Sequence, residues 1–229
     1  MITFISRREL LKRAGLIGVA AAVGPAALES AGAAGEAAAL QSAAARAPFA
    51  NLTAGESSAL EAIVARLIPS DGSGPGAIEA RAAHYIDRAL GGALATLRQT
   101  YTAGLAALDR YARSISGRPF AELSSSEQDQ ALLQVEAGTA NGFADSAAFF
   151  ALVRAHTIQG TFCDPFYGGN ADFVGWDLIG YPGVRTVVTP DDQRLGAEVA
   201  KNHKSAYDYE MFVKATASAD AHEETKHGH

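Results

Sequence analysis

Histidine, cysteine and aspartate are the side chains through which this 229-residue chain could bind a metal or activate a nucleophile. No histidine pair has the H-E-x-x-H or E-x-x-H spacing that places two ligands on one helical face, and His222 and His227 miss it by one residue. His84 and His156 lie among apolar residues, where a semi-buried histidine is the usual explanation. We predict no metal site. The histidines are His84, His156, His203, His222, His227 and His229.

Short motifs of nucleophilic catalysis and nucleotide binding are also missing. The chain has no G-x-S-x-G elbow, and the Gly-Gly-Asn run at 168–170 does not follow the G-x-G-x-x-G order. Asp164, Asp172 and Asp177 lie close together in sequence, and paired carboxylates can do acid–base chemistry. Aspartates in turns more often accept local main-chain hydrogen bonds. We predict neither catalysis nor cofactor binding by this chain alone.

Cys163 is the single cysteine of the chain and therefore has no partner within it. In an exported protein such a thiol is either buried and inert or available to a cysteine of another chain. Cys163 lies in a stretch that a partner could bind, which favours a bridge to a cysteine of another chain. A buried thiol beneath aromatic side chains remains the alternative.

Cys163 belongs to a glycine-rich and aromatic stretch, residues 161–183, which we call the aromatic loop. Glycine at this density predicts positive-φ turns or close approach of the backbone to another surface. The aromatic side chains either pack on the protein's own core or bind a partner, and we weigh both readings. Its large aromatic residues are Phe162, Phe166, Tyr167, Phe173, Trp176 and Tyr181.

The N-terminus carries an export signal. Ser6, Arg7, Arg8, Leu11 and Lys12 match the twin-arginine pattern S-R-R-x-[FL]-L-K, and a short apolar segment and small residues follow. We predict a signal peptide over residues 1–33, a disordered linker over 34–50, one domain over 51–214 and a disordered tail over 215–229. The location predicted for the mature chain is periplasmic.

Charge excludes one class of function. The first 46 residues carry five basic and three acidic side chains, which leaves 14 basic and 22 acidic side chains in the rest. A net acidic domain without a Lys/Arg cluster is a poor binder of nucleic acid.

Helical patterns dominate the domain. Thr53 with Glu56 and Ser124 with Glu127 form capping boxes that predict two helix starts. Further helices are predicted over 77–90, from about 94 to 116, and from Asp145–Ser146 into the aromatic loop at Gly160. Residues 184–188 could form a short strand, and Thr189-Pro190 could cap one or two helical turns around 191–199. The fold class predicted is all-α, a compact bundle of five or six helices with a long loop.

The run DPFYGGNADFVGWDLIGYPG at residues 164–183 resembles the signature of the gluconate 2-dehydrogenase subunit 3 family. The twin-arginine leader, the helix ending Leu67-Ile68-Pro69, the Pro75-Gly76-Ala77 turn and the Leu123-Ser124 segment occur in that family's order. The resemblance implies the non-catalytic gamma subunit of an FAD-dependent sugar or sugar-acid dehydrogenase. It also implies a catalytic flavoprotein partner and commonly a multihaem cytochrome c subunit, which would hold FAD and haem, with an iron–sulfur cluster possible in the partner.

From this resemblance we expect the small subunit to assist folding and export of the flavoprotein and to bind it through the aromatic loop. Trp176 is expected to contribute most, with its indole N–H donating across the interface. An exported carbohydrate-binding module that stacks sugars on the same aromatics is the alternative. The interface residues predicted are Phe162, Cys163, Asp164, Pro165, Phe166, Tyr167, Gly168, Gly169, Asn170, Phe173, Gly175, Trp176, Tyr181 and Pro182.

Overall fold

The first helix lies at the centre of the fold. This helix, α1 (Ala54–Leu67), begins at the capping box predicted for Thr53 and Glu56 and buries Leu60, Ile63 and Val64 almost completely. It packs against four other helices, so the core lies around it. The structure, a computed structural model, describes residues 48–213. The signal peptide, most of the linker and the tail predicted above lie outside the described residues.

The second helix is shorter than the sequence predicts. Helix α2 spans Ala82–Leu90, because Arg81 adopts a left-handed conformation with φ of 59° and interrupts the helix predicted from residue 77. The preceding turn is held to the end of α1, since the Ala77 main-chain N–H donates to the Ile68 carbonyl at 2.8 Å. The segment before α2 therefore forms turns anchored to the end of α1.

The next three helices complete the bundle. Helix α3 (Arg98–Ser116) follows a short 3-10 turn, and α4 (Ser125–Glu136) begins at the capping box predicted for Ser124 and Glu127. Helix α5 (Ser146–Phe162) runs two residues beyond Gly160, where the aromatic loop was expected to begin. Gly160 instead allows close packing on α2, because a Cβ there would lie 2.9 Å from the Ala82 carbonyl oxygen.

After α5 the backbone forms 3-10 turns at Pro165–Tyr167 and Ala171–Phe173, then the short helix α6 (Val174–Ile179). The all-α prediction is confirmed: the described residues contain α1 to α6, a further helical stretch at residues 210–213 and no β-strand. The predictions of a strand at 184–188 and of helical turns around 191–199 are wrong. Val187 and Val188 are exposed and pair with no strand, and the Thr189 hydroxyl and main-chain N–H bond Asp192 in a turn that no helix follows.

Candidate partner-binding site

The aromatic loop lies directly against the end of α5. The Asn170 main-chain N–H donates to the Gly160 carbonyl at 2.8 Å. A Cβ on Gly169 would lie 2.1 Å from that same oxygen, and one on Gly175 would lie 1.8 Å from the Thr161 carbonyl oxygen. Close approach therefore requires these two glycines. Positive φ angles occur at Gly168, Gly180 and Gly183.

Asn170 is the centre of the loop's hydrogen bonding. Its side chain is completely buried, and its Nδ2 donates to the Cys163 carbonyl at 2.8 Å. Its Oδ1 accepts from the main-chain N–H groups of Gly175 at 2.8 Å and Trp176 at 3.3 Å. One amide thus joins the start of the loop to the first turn of α6 and satisfies three buried main-chain groups.

Trp176 also faces the protein's own interior. It is 5% exposed, packs against Phe173 and Tyr181, and donates its indole N–H to the Phe162 carbonyl at 2.9 Å. The expectation that this N–H bonds across an interface is therefore wrong. For this part of the loop, packing on the protein's own core is the correct reading.

Three residues of the loop other than glycine adopt left-handed conformations. Asn170, Asp172 and Phe173 have φ angles of 44°, 52° and 61°. Asparagine and aspartate tolerate this region, whereas a bulky aromatic residue such as Phe173 rarely adopts it. Such strain persists only where the surroundings determine the conformation, and it is often found at functional sites.

The outer side of the loop is a rim of apolar side chains. Phe166, Tyr167, Ile179 and Tyr181 are 48%, 46%, 60% and 39% exposed. They stand on a backbone that Asn170 and the two tightly packed glycines hold in place, so the rim is presented by a rigid element. We call these four residues the apolar rim.

The structure thus divides the interface residues predicted from the sequence. Gly169, Asn170, Gly175 and Trp176 are buried, while Phe166, Tyr167 and Tyr181 are exposed. The remaining seven are partly exposed: Phe162, Cys163, Asp164, Pro165, Gly168, Phe173 and Pro182. Only the exposed and partly exposed members can contact another protein without a rearrangement of the loop.

Cys163 is half-buried beside Gly160, and its thiol donates to the Gly160 carbonyl at 3.7 Å. Burial raises the pKa of this thiol to about 11, although the main-chain N–H of Gly169 acts in the opposite direction. The thiolate is the reactive form, so the thiol is a weak nucleophile at neutral pH in this environment. A bridge from Cys163 to another chain stays a prediction.

A second segment, residues 184–213, folds back onto the loop, and we call it the C-terminal arm. Asp164 caps its own turn as predicted, accepting from the Phe166 main-chain N–H at 3.0 Å. The same carboxylate accepts from the Ser205 hydroxyl at 2.6 Å and the Ala206 main-chain N–H at 2.8 Å. Asp177 pairs with Lys201 at 2.6 Å, and this contact contributes most to lowering its pKa.

Sequence reasoning missed this arm. The signal was present in Ser205 and Asp208, which form a capping box of the S-x-x-[DE] type around a single 3-10 turn. An isolated turn has no apolar period, and periodicity was the criterion for assigning helices.

The histidines within the described residues have structural environments. His156 is buried and stacks on Tyr101, and its Nδ1 lies 2.8 Å from the Tyr101 hydroxyl. Burial lowers the pKa of His156. His84 stacks on Phe49. Between residues 48 and 213 no group of three or more metal-ligating side chains occurs, and no helix there is long and apolar enough to span a membrane. His203 stacks on Phe173, and His222, His227 and His229 lie in the tail, outside the described residues.

The region from the first residue of α1 to the last residue of the aromatic loop corresponds to one family. The family model described as gluconate 2-dehydrogenase subunit 3 matches residues 54–183, more than half of the chain. The chain belongs to this family. It is therefore a subunit of a dehydrogenase complex and has catalytic partner subunits, as the sequence resemblance implied. Comparisons with curated proteins and with solved structures gave no match.

Membership in the gluconate 2-dehydrogenase subunit 3 family gives the loop a context. The matched region ends at Gly183, the last residue of the aromatic loop, and the C-terminal arm follows it. A subunit must present a surface to its partners, and the apolar rim contains four of the seven large exposed hydrophobic residues within the matched region.

Proposed function

We propose that this chain is the non-catalytic small subunit of an exported FAD-dependent dehydrogenase that oxidises glucose, gluconate or a similar sugar. In this proposal it binds the catalytic flavoprotein through the apolar rim of the aromatic loop. One observation carries the proposal: a family-specific loop is fixed from within by Asn170 and displays Phe166, Tyr167, Ile179 and Tyr181 outward.

Rigidity of the rim supports a binding role. Exposed aromatics on a mobile loop lose conformational entropy when they bind, whereas a preorganised surface avoids most of that loss. Aromatic residues in desolvated positions commonly contribute about 2 kcal/mol or more to an interface. A loop with this packing is suited to form a stable complex.

Export is the second part of the proposal. The twin-arginine signal at Ser6, Arg7 and Arg8 belongs to a pathway that carries folded proteins, and a flavoprotein must fold around FAD before it crosses the membrane. The small subunit binds the flavoprotein in the cytoplasm, stabilises it and carries it to the periplasm. The complex then lies at the periplasmic face of the inner membrane, held there by its other subunits.

FAD and any haem or iron–sulfur cluster are assigned to the partner subunits, which include the flavoprotein and a multihaem cytochrome c. The resemblance to the family's small subunit supports that assignment. Residues 48–213 contain no strand–glycine loop–helix unit of the dinucleotide-binding type and no cluster of metal ligands.

The contacts of the aromatics speak against a carbohydrate-binding module. Phe166 can offer only one face to a sugar ring, because the ring of Tyr207 covers the other at a centroid distance of 3.7 Å. Trp176 is buried. Calorimetry of the purified chain with glucose and gluconate is therefore expected to show no binding, and its absorbance spectrum no chromophore.

Co-expression with the flavoprotein of its complex tests the proposal. With the wild-type chain, both proteins should co-purify and appear in the periplasm. Replacing Arg7 and Arg8 with lysine should retain both in the cytoplasm without affecting their association. Normal periplasmic dehydrogenase activity in that variant would refute the export role, and failure of the wild-type pair to associate would refute the whole proposal.

A further inference from the structure

Exposed apolar side chains are concentrated at one end of the described chain. Ten of the thirteen large exposed hydrophobic residues lie between Phe166 and Val213. Four of them form the apolar rim. The other six belong to the C-terminal arm: Val187, Val188, Leu195, Met211, Phe212 and Val213.

The arm is attached to the rim by specific contacts. Phe166 stacks on Tyr207 with an angle of 18° between the rings, and the hydroxyls of Tyr167 and Tyr207 are 2.8 Å apart. The Asp164 carboxylate fixes the start of the same turn through Ser205. The rim and the turn at residues 205–208 of the arm therefore form one continuous surface.

A second set of contacts holds the arm next to α6. The His203 ring lies parallel to the Phe173 ring, with centroids 5.0 Å apart, and its Nε2 is 2.9 Å from Asp177 Oδ1. The Lys201 ammonium bonds the same carboxylate oxygen at 2.6 Å. Phe173, the strained residue of the loop, thus contacts both Trp176 in the interior and the arm outside.

Between these two sets of contacts lies an open groove with a volume of about 620 Å³. The loop contributes Pro165, Phe166 and Phe173 to its walls, and the arm contributes Tyr207 and Asp208. Its walls are mainly apolar, and its size is suited to large side chains of another protein.

A stable complex needs a larger contact area than the rim alone provides. A standard interface covers about 800 Å² of each partner. An aromatic side chain has about 150–250 Å² of surface, so the four half-exposed residues of the rim offer about 400 Å² together. The exposed apolar residues of the arm add a comparable area, which brings the combined surface to the size of a standard interface.

We propose that the C-terminal arm is the second half of the docking surface, and that the catalytic dehydrogenase subunit binds the rim and the arm together, inserting apolar side chains into the groove between them. This inference rests on the proposed function, which names the dehydrogenase as the partner. The arm lies outside the residues that the family model matches.

The test uses charge substitutions at side chains that do not support the fold. Val188→Asp in the arm is compared with Ile115→Asp on α3, because both side chains are 54% exposed. Leu195→Asp, at a fully exposed arm position, is compared with the same substitution at the half-exposed Leu133 on α4. Each full-length variant is titrated with the purified dehydrogenase subunit, and Trp176 fluorescence verifies that the loop is intact.

Both arm variants are expected to raise the Kd for the dehydrogenase subunit about tenfold, whereas both helix variants stay within about twofold of wild type. Tyr207→Ala, which releases the arm from Phe166, should weaken binding by at least as much. Phe166→Asp serves as the corresponding variant of the rim.

If Phe166→Asp weakens binding while the arm variants bind like wild type, the arm inference is wrong and the proposed function stands. If the wild-type chain does not bind the dehydrogenase subunit, both are wrong. Light scattering of the chain alone tests a third outcome. If arm variants abolish self-association without changing the Kd for the dehydrogenase subunit, a second copy of this chain occupies the surface, and the inference is wrong.

Discussion

Replacing Asn170 with alanine should destabilise the aromatic loop more than any other single polar substitution in it. The side chain is completely buried and bonds three main-chain groups, at Cys163, Gly175 and Trp176. Alanine leaves all three without these partners. It must also adopt the left-handed conformation of Asn170, with φ of 44°, which alanine tolerates poorly.

The magnitude follows from these contacts. Each hydrogen bond contributes about 1 kcal/mol net, and a buried group left unpaired costs about 1–3 kcal/mol. The left-handed conformation adds about 1 kcal/mol for alanine. The free energy of unfolding should therefore fall by about 3–5 kcal/mol, a large part of the 5–15 kcal/mol typical of a domain. With a urea slope of about 2 kcal/mol/M, the midpoint moves by about 2 M.

Urea unfolding with two probes measures the effect. Trp176 is the single tryptophan of the chain and reports on the loop, while far-UV circular dichroism reports on the helices. Asn170→Ala should shift the Trp176 emission to longer wavelength even without urea. Asn141→Ala, at an exposed asparagine, is the matched control and should change the free energy of unfolding by no more than about 0.5 kcal/mol.

A third variant separates the two causes. Asn170→Gly removes the hydrogen bonds but accepts the left-handed conformation, so it should recover only about 1 kcal/mol relative to alanine. Recovery to wild-type stability would show that backbone strain, not hydrogen bonding, determines the effect. If Asn170→Ala matches Asn141→Ala by both probes, the reasoning that places Asn170 at the centre of the loop is refuted.

Three further substitutions test other contacts. Gly169→Ala places a Cβ against the Gly160 carbonyl oxygen and should lower the free energy of unfolding by about 2 kcal/mol or more, measured by thermal melts. Gly55→Ala, with open space around it, is the control and should be neutral or slightly stabilising. Trp176→Phe keeps most of the buried area but loses the indole hydrogen bond, so circular dichroism should detect a loss of about 1–2 kcal/mol, and an unchanged melting temperature would contradict it. Burial lowers the pKa of His156, so the unfolded state takes up a proton first and stability falls as the pH drops below about 6.5. His156→Gln should reduce the difference between urea midpoints at pH 7.5 and 5.5, and an unchanged difference would count against this assignment.

Local sequence signals were sufficient for the starts of two helices and for the fold class. Thr53 with Glu56 and Ser124 with Glu127 satisfy the exposed N–H groups at helix starts within four residues, so α1 and α4 begin where the sequence predicts. Apolar periodicity predicted the all-α class, because a helix needs only its own residues to form its hydrogen bonds. The loop signature identified the family, since glycine and aromatic positions appear directly in the sequence.

Contacts between distant residues decided the rest. The β-branched residues at 184–188 favour a strand, yet a strand needs a neighbour, and Val184 finds only a single main-chain bond to Lys204. Arg81 interrupts the predicted helix with its left-handed conformation, and the Ala77 N–H donates to the Ile68 carbonyl at the end of α1, and local periodicity shows neither feature.

The same limit applies to the candidate site. From the sequence, Trp176 and Phe166 were both interface residues, and Trp176 was expected to contribute most. The fold instead buries Trp176 against Phe162 and leaves Phe166 half-exposed beside Tyr207. Which side of a loop faces inward depends on the surface beneath it, here the end of α5, and that surface is formed by residues whose proximity the local sequence does not encode.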